Sequence, residues 1–324
     1  MSQRNTLLAT VALLVCVASA EAADAPKPYF SLHDLGHGVW ATIEVPGSHA
    51  GGNAGFVVGD DGVLVVDTFE SKEAAEALLR AIRGLTDKPV RYVVNTHYHL
   101  DHIGGNGVFA SAGAAILAQR NVRAWARTEN QHLFPPPLSP ADLAQIAGLT
   151  LPTLVYADGV EVYLGDKRVV VRVMAGHTGG DSVVIVPDAK VVFTGDLYWD
   201  HSLPNLVDAR TEQQIATIDT LIRDHGDAAF VPGHGKFVDP PELDAWNMAH
   251  ASDLKAFRDY LAALRTAVSA AVAAGKSGKA LEDEVLPKLR KDYGAWFLFD
   301  YFSAKNIADT EQELRGTKRY PPAS

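Results

Sequence analysis

The densest chemistry in the chain lies in Thr96-His97-Tyr98-His99-Leu100-Asp101-His102-Ile103-Gly104-Gly105-Asn106, where three His and one Asp fall within six residues. Imidazole nitrogen and carboxylate oxygen together suit divalent metals: zinc first for hydrolysis, with iron and manganese also served by such ligands. In an extended stretch alternate side chains share a face, so His97 and His99 point the same way. Asp101 and His102 come after the chain turns and can face a second metal. One histidine in a polar loop is ordinarily solvated surface; four donors at this spacing point to a metal site. Three further candidates stand singly: His177 within Gly176-His177-Thr178-Gly179-Gly180, Asp196 within Thr194-Gly195-Asp196, and His234 within Pro232-Gly233-His234-Gly235. Each is flanked by Gly, which lets backbone and metal approach closely.

These residues need strands that end beside one another. Residues 39–45, 55–58 and 63–66 read as strands, the last two joined by the hairpin signal Asp60-Asp61-Gly62. Ser71 can cap a helix with Ala75, Leu78, Leu79 and Ile82 on one face and Gly84 as its stop. A strand at 90–94 then feeds the His-rich loop. After residue 150 the pattern partly repeats: hairpins at 160–164/168–174 and 182–186/191–194, a helix at 211–224 and a strand at 228–231. His177, Asp196 and His234 thus follow three successive strand ends. Two such sheets would stack face to face with helices outside, an α/β (α+β) arrangement. Between the halves, 132–150 is irregular around Pro135-Pro136-Pro137 and reads equally as a binding loop or a surface insertion. Beyond Pro240 the chain turns helical, with Leu254, Phe257, Leu261, Leu264 and Val268 at helical spacing and a break at 275–278. An aromatic-rich helix carrying Tyr293, Trp296, Phe297, Phe299, Tyr301 and Phe302 follows, read as core packing.

The 324 residues, 47% hydrophobic and 21% charged, suffice for a large core. A net charge of -10 argues against nucleic acid as a partner. Arg4, the short apolar run 7–17, and the small-x-small patterns Ala18-Ser19-Ala20 and Ala20-Glu21-Ala22 read as a signal peptide over 1–22. The expected mature protein is periplasmic or secreted and free of the membrane. Cys16 is the only cysteine, so disulfides, thiol nucleophiles and cysteine-bound metal are not expected after cleavage. Domains are expected at 23–240 for the catalytic unit and 241–324 for a helical extension packed on it.

The ordered motifs His-x-His-x-Asp-His, Gly-His-Thr, Thr-Gly-Asp and Pro-Gly-His-Gly resemble the metallo-β-lactamase superfamily over roughly residues 30–240. That resemblance implies a four-layer αββα sandwich, here with a helical C-terminal extension. It implies that His97, His99 and His177 bind one metal, that Asp101, His102 and His234 bind another, and that Asp196 bridges two zinc ions. Residues 53–67 look like the family's opening hairpin, with Asp67 near the metal loop. The implied mechanism is hydrolysis by a metal-bridging hydroxide, with Asp101 and Asp196 as catalytic residues. The substrate is a small molecule with an ester, thioester, lactone or amide-type bond, β-lactams being compatible with the ligand set but not singled out by it. Asp196 stands where one group of β-lactamases has Cys, and a bridging Asp looks more like glyoxalase II and lactonases. Trp199 stands where those β-lactamases carry the Lys that binds the drug carboxylate. The chain also resembles periplasmic members linked to quinoprotein oxidation systems. His49, Tyr198, Trp199 and His201 are candidate substrate contacts; His33, His37, His132, His225 and His250 lack ligand-like context. A non-haem iron oxygenase of the same fold, such as a persulfide dioxygenase, uses fewer ligands around one iron. A non-catalytic metal-binding module would be expected to have lost ligands. The full set of seven favours the hydrolase over both. His97→Ala is expected to empty one metal site and abolish hydrolysis; unchanged metal content and activity in that variant would overturn the assignment.

Overall fold

The computed structural model describes residues 27–235 and 249–322; the expected signal peptide and the boundary at 240 lie outside them. Its first sheet is built from β1 (Phe30–Asp34), β2 (Val39–Glu44), β3 (Ala54–Val58), β4 (Val63–Val66), then, after helix α1 (Lys72–Leu85), β5 (Val90–Val94). Two short helices, α2 (Leu100–Ile103) and α3 (Asn106–Ser111), lead into β6 (Ala115–Gln119), and α4 (Arg120–Trp125) and α5 (Pro140–Gly148) into β7 (Leu154–Tyr156). The second sheet holds β8 (Gly159–Leu164), β9 (Lys167–Val173), β10 (Ser182–Val186), β11 (Val191–Asp200) and, after α6 (Thr211–His225), β12 (Ala229–Gly235). Helices α7 (Ala251–Ala273), α8 (Gly278–Tyr293) and α9 (Phe299–Leu314) follow.

Strand periodicity decides how these elements stack. Leu64 and Val66 of β4 face Val184 and Val186 of β10 across the space between the sheets. Their neighbours Val63 and Val65 turn outward onto Leu78 and Ile82 of α1. Val183 and Ile185 turn outward onto the other helical layer, with Ile218 of α6 and Phe257 of α7. Every second residue therefore serves a different core, and the layers are α, β, β, α as the resemblance implied. In each half a helix carries the chain from one strand to a parallel neighbour, α1 from β4 to β5 and α6 from β11 to β12. Both crossovers bring strand ends to one edge of the sandwich, where ligands gather in sheets of this kind. No helix among the described residues is long and apolar enough to cross a membrane.

Several elements depart from their expected form. Helix α1 starts where Ser71 accepts from the Ala74 N–H, as read, but runs through Gly84 and closes on Thr86. β11 does not stop at residue 194; it continues to Asp200 through two register shifts against β12. β12 likewise runs past residue 231 and includes His234. The stretch 132–150 is partly helical: Ser139 and Asp142 form a reciprocal capping box with Pro140 at the first position of α5. β1, β6 and β7 were not anticipated. The aromatic-rich segment is two helices, broken between Tyr293 and Phe299 with Leu298 in the left-handed region at φ 58°.

The apolar stripe of α7 is buried as its spacing indicated, with Leu254, Phe257, Leu261, Leu264 and Val268 fully enclosed against α6 and β11. Phe257→Ala is expected to destabilise the protein by about 3–5 kcal/mol, measured by denaturant unfolding; a loss below ~1 kcal/mol would show that this helix is not integral to the core.

Candidate metal centre

Strand β5 ends at Val94, and the chain then bends through Thr96, His97 and Tyr98 before His99 opens the next helix. Helix α2 starts on the next residue and swings Asp101 and His102 round to the same cavity. His97 and His99 share a face, their rings 4.7 Å apart. His177 enters from the loop after β9, Asp196 from the irregular middle of β11 and His234 from the end of β12. The structure brings all seven expected ligands together in two clusters, His97/His99/His177/Asp196 and Asp101/His102/His234, each with its donor atoms within 4.8 Å of one another.

Asp196 stands between the clusters. Its Oδ2 lies 3.3 Å from His177 Nε2 and 3.7 Å from His97 Nε2 on one side, and 3.3 Å from His234 Nε2 on the other. Its Oδ1 lies 3.1 Å from His102 Nε2. Asp101 Oδ2 is 3.2 Å from His234 Nε2. Gly233 makes room for this carboxylate: a Cβ there would come within 2.0 Å of Asp196 Oδ1.

The histidines are held from behind. The Thr96 N–H donates to Asp67 Oδ1 at 2.8 Å, and Asp67 Oδ2 lies 2.9 Å from His102 Nδ1. Thr96 Oγ1 lies 3.0 Å from His97 Nδ1. Asp208 Oδ2 lies 3.0 Å from His99 Nε2, accepts the Tyr98 hydroxyl at 2.6 Å and lies 3.1 Å from His132 Nε2. The Asp181 carboxylate accepts the Gly176 and Thr178 N–H groups and so shapes the loop that carries His177. These contacts leave His97 Nε2, His99 Nδ1 and His102 Nε2 turned towards the cluster.

The donor set fits divalent cations. His97 Nε2 is buried with no hydrogen-bond partner among the described residues, and Asp196 Oδ1 forms no hydrogen bond although His102 Nε2 lies 3.1 Å away, an arrangement that costs free energy unless something charged fills the gap. Burial would lower His102, yet Asp196, Asp101 and Asp67 hold it well above the ordinary imidazole value. Burial pushes His97 far below that value and His177 down to about 3. Against burial, His234, His102, His97 and His177 hold the Asp196 carboxyl well below the usual carboxylate range. Protons satisfy such a cluster poorly; positive ions between the lone pairs would satisfy it.

A cavity of about 400 Å³ opens over the centre, lined by Asp101, Asp196 and His234 at its floor and by Glu44, Leu133 and Trp199 around them. Of the four candidate substrate residues, Trp199 lines it, its ring 3.9 Å from that of His234. Tyr198 points the other way, edge-on to Phe257 in the core and bonded to Asp200. His201 packs beside Trp296, and His49 sits on the exposed loop near Glu70; neither lines the cavity. His132 has more context than its sequence neighbours suggested, because it meets Asp208. Part of the aromatic segment read as core also lines the cavity: Phe297, Leu298, Tyr301 and Phe302.

A family model described as the metallo-beta-lactamase superfamily matches residues 48–268 of the 324. The chain belongs to that superfamily. Similar proteins include a hydroxyacylglutathione hydrolase from Brucella anthropi, 28% identical over 185 residues, or 56% of this chain and 61% of the relative. An acyl-coenzyme A thioesterase from Bos taurus is 29% identical over 227 residues, 64% and 81% of the two chains. A linear primary-alkylsulfatase from Pseudomonas sp. is 25% identical over 213 residues, 55% and 40%. The match thus spans less than two thirds of the first and the last of these relatives. In three dimensions a metallo-beta-lactamase from Pontibacter korlensis superposes with a TM-score of 0.57 at 22% identity, over 72% of this chain and 98% of that one. The DIM-1 metallo-beta-lactamase does so at 0.53 and 19%, over 72% and 96%. These two likenesses establish the fold, and the sequence relatives are hydrolases.

In this superfamily member the outer partners of the clusters are spread widely in sequence, and Asp208 joins three side chains at one oxygen. Asp208→Asn is expected to weaken metal retention about 10- to 100-fold, read by competition with a chelator while the circular dichroism stays unchanged. Retention equal to the parent protein would remove Asp208 from the centre's support.

Proposed function

We propose that the chain is a dinuclear zinc hydrolase, working in the periplasm or outside the cell, that cleaves small acyl esters, thioesters or related lactone and amide-type bonds. The observation that carries this reading is the position of Asp196, within 3.7 Å of a histidine from each of two buried donor clusters beneath an open cavity. His97, His99 and His177 would hold one ion and Asp101, His102 and His234 the other, with Asp196 shared. Ions held there would supply Lewis acidity, which lowers the pKa of a water and polarises a carbonyl oxygen.

The protein's own residues do the rest. Asp101 is the most exposed of the seven, at 27%, and faces the cavity floor, where it is placed to orient an attacking water. Asp67, Thr96 and Asp208 fix the imidazole orientations before substrate arrives, so no reorganisation is spent during reaction. Trp199 covers His234 and keeps bulk water from that side of the centre. Two of the relatives are named for acting on acyl groups carried by glutathione or coenzyme A, which favours an acyl substrate over a phosphodiester. With Trp199 where a drug-binding Lys would stand, β-lactam cleavage would be a weak side activity. Export rests on the N-terminal pattern of Arg4, the apolar run and the small-x-small sites.

The purified mature protein is expected to hold about two zinc ions per chain and to turn over an acyl ester or thioester faster than a chromogenic β-lactam or a phosphodiester. One iron per chain with no hydrolysis of any of them would replace this reading with the oxygenase.

A further inference from the structure

The cavity has two unlike ends. At the floor are the carboxylates and imidazoles of the two clusters. The wall above is made by the turn between α8 and α9 and by the start of α9, where Phe297 on the turn is 45% and Tyr301 on the helix 75% exposed despite their size. Aromatic contacts run continuously from the floor to the rim: Trp199 lies over His234, Phe302 meets Trp199 edge-on at 6.1 Å, and Tyr301 meets Phe302 edge-on at 4.8 Å. Among the described residues that line the cavity, Glu44 is the one charged side chain outside the donor clusters, and none is Lys or Arg.

This wall is held in register with the centre. The strand that carries Asp196 and Trp199 ends at Asp200, and the next residues bond directly to the turn. The Phe297 N–H donates to the His201 carbonyl at 3.0 Å, and the Leu203 N–H to the Phe297 carbonyl at 2.9 Å. Leu298, whose side chain also lines the cavity, is held at φ 58°, a conformation unfavourable for a branched residue. Strained backbone of this kind persists where its surroundings over-determine it, and it gathers at functional sites.

From this geometry we propose that the wall of Trp199, Phe297, Leu298, Tyr301 and Phe302 selects the substrate by an uncharged, apolar acyl group that lies along it while the scissile bond rests on the floor. The proposal rests on the hydrolytic reading above and names its substrate class. Apolar contact along the wall rewards each added methylene. Glu44 lines the cavity and disfavours a substrate with a carboxylate beside it, while Lys305, behind the lining, is engaged by Asn205, to whose Oδ1 it donates at 2.7 Å.

The test uses the zinc-loaded protein and 4-nitrophenyl esters from acetate to octanoate, with the hemisuccinate as the anionic counterpart of the butyrate. kcat/KM is expected to rise about two- to fourfold per methylene over the first few steps, and the hemisuccinate to be a poorer substrate than the butyrate. In Tyr301→Ala and Phe297→Ala the rise with chain length should flatten. Both rings are substantially exposed, so truncation spares the core, and circular dichroism and metal content verify this. Calorimetric titration with butyrate and octanoate reads the same preference without turnover: octanoate should bind more tightly to the parent protein, and less so to the Tyr301→Ala variant. Ester hydrolysis with no dependence on chain length, or an undiminished dependence in both variants, would overturn the inference and leave the hydrolase standing. No hydrolysis of any ester by protein with both sites filled would overturn the hydrolase, and the titration would still decide whether the wall binds an apolar chain.

Discussion

The centre depends on one carboxylate buried among like lone pairs at the floor of the cavity. Asp196 is buried, and four imidazole nitrogens converge on it. Such a group is stable in a folded protein only if positive charge is near, and protons alone divide unevenly over the surrounding histidines. The backbone is bent to put it there. Gly195 adopts φ 51°, and β11 slips register against β12 on both sides of that glycine, so the strand delivers its side chain sideways without ending. The close packing of Gly233 against the carboxylate follows from the same requirement.

The sandwich serves this demand from both halves. A helical crossover in each half returns the chain to a parallel strand, and both crossovers deliver strand ends to one edge. Donors separated by 137 positions, from His97 to His234, thereby meet without a long loop. Supporting contacts come from still further off. The oxygen that meets His99 belongs to Asp208, and its other neighbours are Tyr98, on the motif itself, and His132, in the segment between the two halves. The rigidity of the centre is thus a property of the whole sandwich.

What the sequence revealed followed from locality. His97 to His102 are close in the chain, so their spacing alone indicated the chemistry, and the flanking glycines marked the three single donors. Alternating apolar residues gave most of the strands and the buried stripe of α7. Hidden features were those without a local signal. Thr194, Asp196 and Asp200 interrupt the apolar run of β11, so its true length could not be read from pattern. The Ser139/Asp142 cap that starts α5 lies just behind a proline cluster that breaks the helical pattern before it. Gly294 caps the end of α8 within the aromatic segment, but nothing beside Leu298 marks the left-handed residue that starts α9. Asp208 lies 109 residues from His99, and nothing beside it in the chain announces the contact.

The short backbone bridge between Ser202 and Phe297 joins two parts with different duties. All seven metal-facing donors precede residue 235, whereas the exposed aromatic rings over the cavity come after residue 296. Changes in the later rings can reshape the wall of the cavity while the donor clusters beneath are untouched. For a lineage this separates what can vary from what cannot: side chains at the surface around the start of α9 can change at little cost in stability, without disturbing buried donor clusters that tolerate few substitutions.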